Sequence, residues 1–372
     1  MAKKLGFGCM RLPLTDPNDQ RSVDIREVER MADLFLERGF TYFDTAYMYH
    51  DFTSECVVRQ ALVERHPRER FMLASKLPTM FLKEAADQER IFGEQLEKCG
   101  VDYFDYYLLH SLNAANYRTA ERLGSFAFVA RQKAEGRIRR IGFSFHDRAE
   151  LLDEILTTHP ETEFVQLQIN YLDWDNESIQ SRRCYEVARR HGKEIVVMEP
   201  VKGGALARVP EEVERLFRAV RPDLSPASWA VRYAASLDGV TMVLSGMSSM
   251  EQLADNTACM EHFEPLDLRE RDTVTRAVEL LNRAIAIPCT ACRYCVAGCP
   301  QQIAIPEYFA LYNADRQSVN NIFSIQQAYY ENYARSHGRA SACIACRKCE
   351  KICPQHLPIV EYLREVARTF ES

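Results

Sequence analysis

The sequence contains no apolar run approaching the ~18 residues of a membrane-spanning helix, which excludes an integral helical membrane protein. It also has no surplus of basic charge. Its 47 Lys and Arg stand against 53 Asp and Glu, a formal charge of −6, so neither a nucleic acid nor an anionic membrane is indicated as partner. No secretory leader is expected at Met1-Ala2-Lys3-Lys4 either. The apolar stretch Leu5 to Met10 is short and is cut by Arg11, so it reads as a strand. With 47% apolar and 27% charged residues the chain is neither disordered nor fibrous. At ~100–200 residues per domain, 372 residues imply two domains or one large barrel with an appendage. The expectation is a globular cytoplasmic protein.

Cysteine is what the chain has in plenty, and unevenly. Five of its 13 cysteines (Cys9, Cys56, Cys99, Cys184, Cys259) are scattered singly, whereas eight fall between Cys289 and Cys353. The cytosol keeps thiols reduced, so such a cluster reads as metal ligands rather than disulfides. The eight form an internal repeat, Cys289-x2-Cys292-x2-Cys295-x3-Cys299-Pro300 and Cys343-x2-Cys346-x2-Cys349-x3-Cys353-Pro354. Three thiolates spaced three apart wrap three corners of an iron–sulfur cube, and the fourth, ahead of proline, reaches the other cube. The expected sets are therefore Cys289, Cys292, Cys295 and Cys353 for one [4Fe–4S] cluster, and Cys343, Cys346, Cys349 and Cys299 for the other. Structural zinc also takes thiolates, but usually through two CxxC pairs. This region resembles the two-cluster ferredoxin family. The long Cys299–Cys343 interval makes it most like the helical modules fused to oxidoreductases.

Ahead of it, short apolar runs alternate with amphipathic stretches. Eight strands are expected at Lys4–Cys9, Thr41–Thr45, Phe71–Lys76, Tyr106–His110, Ile138–Ser144, Phe164–Asn170, Glu194–Glu199 and Thr241–Gly246. Most are continuously hydrophobic, as in parallel sheets covered on both faces. The expected helices between them are Ile25–Gly39, Ser54–Glu64, Lys83–Cys99, Thr119–Glu135, Asp147–Thr158, Ser178–His191, Ser225–Leu237 and Met250–Met260. Eight strand–helix units predict an α/β fold, a (β/α)8 TIM barrel over 1–265, with a doubly wound sheet as the alternative. A connecting helix is expected over 266–287, followed by a mainly helical, ferredoxin-like domain over 288–372.

Polar residues end or follow successive strands: Asp44, with Tyr49 just beyond, then Lys76 and His110. Singly each has a structural explanation, as a helix cap, a core histidine or a snorkelling lysine. At consecutive strand ends they would converge on one barrel mouth. A lysine cation lowers the pKa of a tyrosine, an aspartate holds the lysine, and a histidine donates to the same substrate oxygen. Together they could protonate a carbonyl oxygen while its carbon takes hydride.

On LGFG (Leu5–Gly8), FDTA with Tyr49, ASK ending in Lys76, LLHS around His110 and GRIRRIGFS (Gly136–Ser144), residues 4–260 resemble the aldo-keto reductase family. The resemblance implies catalytic roles for Asp44, Tyr49, Lys76 and His110, a small-molecule carbonyl or alcohol substrate, and an extended nicotinamide dinucleotide. It implies carboxamide contacts from Ser144 and Gln166. Phosphate contacts would come from the loops holding Gly203, Gly204, Gly246 and Ser248, and an adenine contact from Asn256. Phe145 and Met198 replace the family's asparagine and stacking tyrosine. No Arg or Lys between Gly246 and Asn256 can clamp a 2′-phosphate, which favours NAD over NADP and leaves a flavin as alternative. Lys202 could help with phosphates but is expected as a solvated loop lysine, and His50 and His146 flank the mouth, where they would either shape substrate binding or cap loops. Gly6-x-Gly8 precedes no helix and is no nucleotide fingerprint. Clusters beside a reductase site further suggest a redox partner protein. The alternatives are a reductase whose clusters are structural or redox-sensing, and a regulatory subunit of the kind some members of the barrel family provide to ion channels.

Overall fold

The computed structural model describes residues 3–176, 179–282, 286–287, 289, 291, 293–316, 324–353 and 355–371. Cys292, Pro288, Pro354, the expected helix start at Ser178 and the end of the connecting segment at 283–285 lie outside the described residues. Eight parallel strands close into a barrel in sequence order: β1 (Leu5–Gly8), β2 (Tyr42–Asp44), β3 (Met72–Leu77), β4 (Phe104–Leu112), β5 (Ile138–Phe145), β6 (Phe164–Gln168), β7 (Glu194–Met198) and β8 (Val240–Gly246). The doubly wound alternative is excluded by the closing β1–β8 pairing, Leu5 against Val243 through Gly8 against Gly246.

The continuous apolar runs conceal a two-residue alternation. One set of side chains (Phe7, Phe43, Leu73, Tyr107, Leu109, Val165, Ile195, Val197, Val243) packs outward in the main core with the helices. The other set (Tyr42, Ala74, Leu108, Phe164, Val196, Met242, Leu244) fills the lumen. Tyr106 lies edge-on to both Tyr42 and Phe164, with ring centroids 4.9 and 5.1 Å apart. Since strand side chains alternate, the residue two positions beyond each lumen residue forms the next layer toward the mouth. Those positions are Asp44, Lys76, His110, Gln166, Met198 and Gly246, and Ser144 stands two beyond Gly142.

Around the barrel run α1 (Ile25–Glu37), α2 (Ser54–Val58), α3 (Ala86–Cys99), α4 (Ala114–Leu123), α5 (Ser125–Ala134), α6 (Ala149–Thr158), α7 (Ser181–Arg190), α8 (Glu211–Arg218), α9 (Pro226–Ala235) and α10 (Met250–Glu261). The single helix expected over Thr119–Glu135 is two. Gly124, left-handed at φ 66°, ends α4, and its carbonyl accepts from Phe128 N in the first turn of α5. Asn113 caps α4, its Oδ1 accepting from the Ala115 and Asn116 amides. Helix α8 carries only two buried residues, Val213 and Phe217, a pattern too short to stand out in sequence. The connecting segment forms α11 (Leu268–Asn282). Its Val274 and Ala277 pack with Phe217 and Trp229, against the barrel's outer layer.

The C-terminal region contains α12 (Tyr294–Ala297), α13 (Ile305–Arg316), α14 (Ile325–Ala334), α15 (Lys348–Ile352) and α16 (Ile359–Phe370). The sequence repeat is a structural one. In each half a cysteine loop enters a short helix, then a proline-containing turn, then a long helix, α13, buried over most of its surface, or α16, buried along one face. Tyr308, Phe309, Tyr330, Leu363, Val366 and Phe370 form their common core.

Gly142 on β5 is needed for close strand approach, since a Cβ there would lie 2.4 Å from the Phe164 carbonyl oxygen. Gly142→Ala should destabilise the barrel by about 1–3 kcal/mol, the usual range for overpacking, in urea unfolding followed by near-UV circular dichroism. An unchanged transition would contradict this packing.

Candidate active site and cysteine cavities

Burial decides the electrostatics of the mouth. The Lys76 side chain is 1% exposed, and its Nζ donates to Asp44 Oδ1 at 2.5 Å, to the Thr45 carbonyl at 2.8 Å and to Tyr49 Oη at 3.2 Å. Gln166 Nε2 approaches Asp44 Oδ2 at 3.4 Å. Burial works against the Lys76 charge, but the Asp44 carboxylate and Tyr49 outweigh it and raise the lysine pKa. The sequence-based expectation for Tyr49 fails in its net direction. Lys76 does pull the phenol pKa down, but burial pushes it up by more, so it lies above its ordinary value near 10. Tyr49 therefore keeps its proton throughout the neutral range.

His110 stands edge-on to Tyr49, with ring centroids 6.0 Å apart. Burial, the Lys76 cation and His146, in that order, hold its pKa well below the ordinary value, so it is neutral. Its Nδ1 is a buried atom without a partner among the described residues, as are His146 Nδ1 and Gln168 Oε1. Orphaned polar atoms are uncommon in folded proteins, and these three belong to the strand ends or the loop immediately beyond. Just past His110, β4 shifts register and Ser111 takes φ 56°, which brings its amide to Ser144 Oγ at 2.7 Å.

Behind β3 lies a buried polar network that the sequence did not announce. Glu55 Oε1 accepts from Ser75 at 2.7 Å and from Gln95 at 2.6 Å. Gln95 also donates to the Lys76 carbonyl at 3.1 Å and accepts from Tyr107 Oη at 2.5 Å. It clamps the strand that presents the lysine. Only the spread of these polar residues over otherwise apolar segments could have signalled it.

The remaining expected contacts lie on the β7 and β8 side. Gly203 and Gly204 both have positive φ, 62° and 100°, and the Gly204 amide closes a turn onto the Val201 carbonyl. Lys202 is not a solvated lysine. It is 2% exposed, and its Nζ sits 2.5 Å from Asp173 Oδ1, whose other oxygen accepts from Asn170 at 2.9 Å and Gln168 at 3.2 Å. A lysine so close to the barrel can be buried because a paired acid awaits it. Arg11 of the β1 loop is carried to the mouth end of β8. It lies against Gly246, pairs with Glu199 at 3.3 Å, and its carbonyl accepts from Ser248 Oγ at 2.8 Å. Asn256 is buried, with Nδ2 bonded to the Gln252 carbonyl at 2.8 Å and Oδ1 without a partner among the described residues. Met198 is half-buried and Phe145 fully buried. His50 does not line an open mouth. Its ring accepts from the Leu12 amide at 3.2 Å and contacts the Gln20 carbonyl at 2.9 Å, which ties the β1 loop in place.

His146 meets the C-terminal region. Tyr329 of α14 stands edge-on to it at 5.9 Å, and Asn332 donates to its carbonyl at 3.3 Å. Asn113 donates in turn to Asn332 Oδ1 at 3.1 Å. Helix α14 is thus fastened to the loops after β4 and β5.

The described cysteines of the repeat divide between two small cavities. One is lined by Cys289, Cys295 and Cys353, the other by Cys299, Cys343, Cys346 and Cys349. In each, the fourth cysteine of one motif joins members of the other. Among the described residues no three Cys, His, Asp or Glu side chains gather tightly enough for a single metal ion. The loops carry left-handed residues at matching places, Ala291 and Ala345, Arg293 and Arg347, Gln302 and His356. Non-glycine residues with positive φ are uncommon, and six in register point to backbone bent around something. Such concave turns direct amides toward anionic groups, iron–sulfur centres among them.

A parallel barrel with a buried Lys–Asp pair, a tyrosine and a histidine at its mouth defines an oxidoreductase class. The aldo/keto reductase family model matches residues 4–279, and a 4Fe-4S dicluster domain model matches 288–357. The chain belongs to the aldo/keto reductase family and carries a 4Fe-4S domain. It is 28% identical over 252 residues to an aldo-keto reductase of Mycobacterium avium, covering 65% of this chain and 80% of the relative. It is 25% identical over 289 residues to the uncharacterized oxidoreductase YqkF of Bacillus subtilis, covering 68% and 85%. The holo form of aldo-keto reductase AKR11C1 from Bacillus halodurans superposes with a TM-score of 0.58 at 26% identity, covering 74% of this chain and 91% of that one. Among the described residues no helix is long and apolar enough to cross a membrane.

Burial holds the His146 pKa at about 4, below the unfolded value near 6.5. As pH falls through that window the unfolded chain binds a proton that the folded one refuses. Stability should therefore decline, by at most about 1.4 kcal/mol per pH unit from this residue. His146→Gln should flatten the loss of unfolding free energy between about pH 7 and pH 5. Parallel curves for variant and parent would contradict the assignment.

Proposed function

We propose that the chain reduces small carbonyl compounds with a nicotinamide dinucleotide, and that Asp44, Tyr49, Lys76 and His110 perform the proton chemistry. The observation that carries this reading is the Lys76 ammonium lying between the Asp44 carboxylate and the Tyr49 hydroxyl at the mouth. Tyr49 holds a proton at Oη through neutral pH and can give it to a carbonyl oxygen beside it. Lys76 then faces the phenolate and stabilises it, while Asp44 keeps the lysine charged and fixed. Neutral His110 is suited to donate a hydrogen bond to the same oxygen. A bound reduced nicotinamide would supply the hydride.

Ser144 and Gln166 would hold its carboxamide, the loops of Gly203, Gly204, Gly246 and Ser248 its phosphates, and Asn256 its adenine. Asn256 Oδ1, without a partner among the described residues, and the Ser144 hydroxyl, which accepts from the Ser111 amide and can still donate, suit those roles. We favour NAD, because 246–256 offers no cation and Lys202 is committed to Asp173.

For the domain of 288–372 we propose two [4Fe–4S] clusters, one held by Cys289, Cys292, Cys295 and Cys353, the other by Cys343, Cys346, Cys349 and Cys299. The shared lining of the two cavities and the paired left-handed loops support these sets. Bound clusters would supply single electrons, and a flavin from outside the chain is the natural converter to hydride chemistry.

Tyr49→Phe should lower kcat for carbonyl reduction by ~10²-fold or more with little change in KM, assayed with NADH and NADPH side by side. Near-parental turnover would remove Tyr49 from the reaction. Anaerobically purified protein should hold about eight irons per chain. In a Cys353→Ser protein, alkylation mapped by mass spectrometry should expose Cys289 and Cys295 while Cys343, Cys346 and Cys349 stay protected. The opposite pattern would reverse the cluster assignment.

A further inference from the structure

The two cysteine cavities differ in what surrounds them. Arg293, in the loop of the first, is within electrostatic reach of Tyr333, which also senses Asp147, Arg148 and Glu150 of the barrel. The neighbouring Asn332 is hydrogen-bonded to the barrel. One side of the first loop thus faces the barrel, while its Arg293 and Tyr294 are exposed, the tyrosine at 59%.

The second loop is turned to solvent. Cys346 is exposed, and so are Ile344 at 60% and Ile352 at 54%, the two exposed isoleucines among the described residues. Large apolar side chains held out in water beside a surface thiol cost free energy unless a partner covers them. Their surroundings are basic. Residues 343–353 and 359–368 contain five Lys or Arg against three Glu, in a chain whose total charge is −6. Lys348, Lys351 and Arg364 make no ion pair among the described residues, and the Arg347–Glu350 contact is a loose 3.7 Å. Arg364 and Arg368 line a surface hollow together with Cys343, which also lines the second cysteine cavity. Ile344, Arg347 and Lys348 line the second cysteine cavity itself, and Lys351 and Ile352 stand one helical turn beyond Lys348, on the same side of its short helix.

We propose that this face, formed by Ile344, Cys346 and Ile352 within Arg347, Lys348, Lys351 and Arg364, docks a small acidic electron-carrier protein. An apolar centre with a cationic rim is the complement of such a carrier, whose redox group lies under an acidic surface, and opposite charges speed and orient the encounter. The proposal rests on reading the cavities as cluster sites, and it adds the side of entry and the charge of the partner.

The test is calorimetric titration of the iron-loaded full chain with flavodoxin, and with basic cytochrome c as the charge-opposite probe, at low and at moderate salt. Flavodoxin should bind, and its affinity should fall by roughly tenfold or more across a severalfold rise in salt. A Lys348→Glu/Lys351→Glu protein should lose a similar factor while keeping its iron. Arg215→Glu/Arg218→Glu, on the barrel helix α8, should bind as the parent does. Equal loss in both charge reversals, or cytochrome c binding as tightly as flavodoxin, would overturn the proposal. So would lysine-dependent capture by anionic phospholipid vesicles without flavodoxin binding. Absence of NADH-driven carbonyl turnover in the same preparation would instead overturn the reductase reading and leave the docking result standing.

Discussion

A lysine ammonium at the centre of a parallel barrel has to be paired, and the Lys76–Asp44 contact is the constraint around which this site is organised. Removing one partner of such a buried pair costs about 3–5 kcal/mol, whereas replacing both with apolar residues is often neutral or stabilising. Stability alone therefore gives no reason to keep it. Its consequence is chemical: the charge fixed on Lys76 lies 3.2 Å from the Tyr49 hydroxyl and offsets part of the penalty that burial places on the phenolate. The network of Glu55, Ser75, Gln95 and Tyr107 behind β3 holds the strand that delivers the charge. Changes in this hidden layer should reach the mouth through the backbone of Lys76.

The C-terminal region is built on the same economy of repeated geometry. Two loops with matching left-handed residues lead into matching helices, and the cavity beside each is lined in part by a cysteine of the other half. The result is fastened to the barrel at the loops beyond His110 and Ser144 through Asn113, Asn332, His146 and Tyr329. A change in the packing of α14 would therefore be felt by His146, and through it by the neutral imidazole of His110.

Much of this was legible in the sequence. Apolar runs eight times over marked the strands, because a parallel sheet covered on both faces needs side chains of one kind throughout. Polar residues at their ends marked the mouth, because alternation along a strand carries Asp44, Lys76 and His110 onto the lumen side. The spacing of the cysteines marked the repeat. What stayed hidden depends on partners distant in the chain. Lys202 read as a surface lysine since nothing local reveals that Asp173 will meet it. In the sequence Arg11 only ends an apolar stretch, and it is the closure of β1 on β8 that brings it to Gly246. The break at Gly124 was missed because helical periodicity continues across it, and the upward pKa of Tyr49 because burial has no local signature.

The central claim is that the charge on Lys76 governs proton donation by Tyr49. The pH profile of carbonyl reduction in Lys76→Met against the parent tests it most directly, since the thioether keeps the volume and removes the charge. A lower rate, with the tyrosine-dependent limb displaced to higher pH, is what the account predicts. An unchanged rate over an unchanged profile would contradict it.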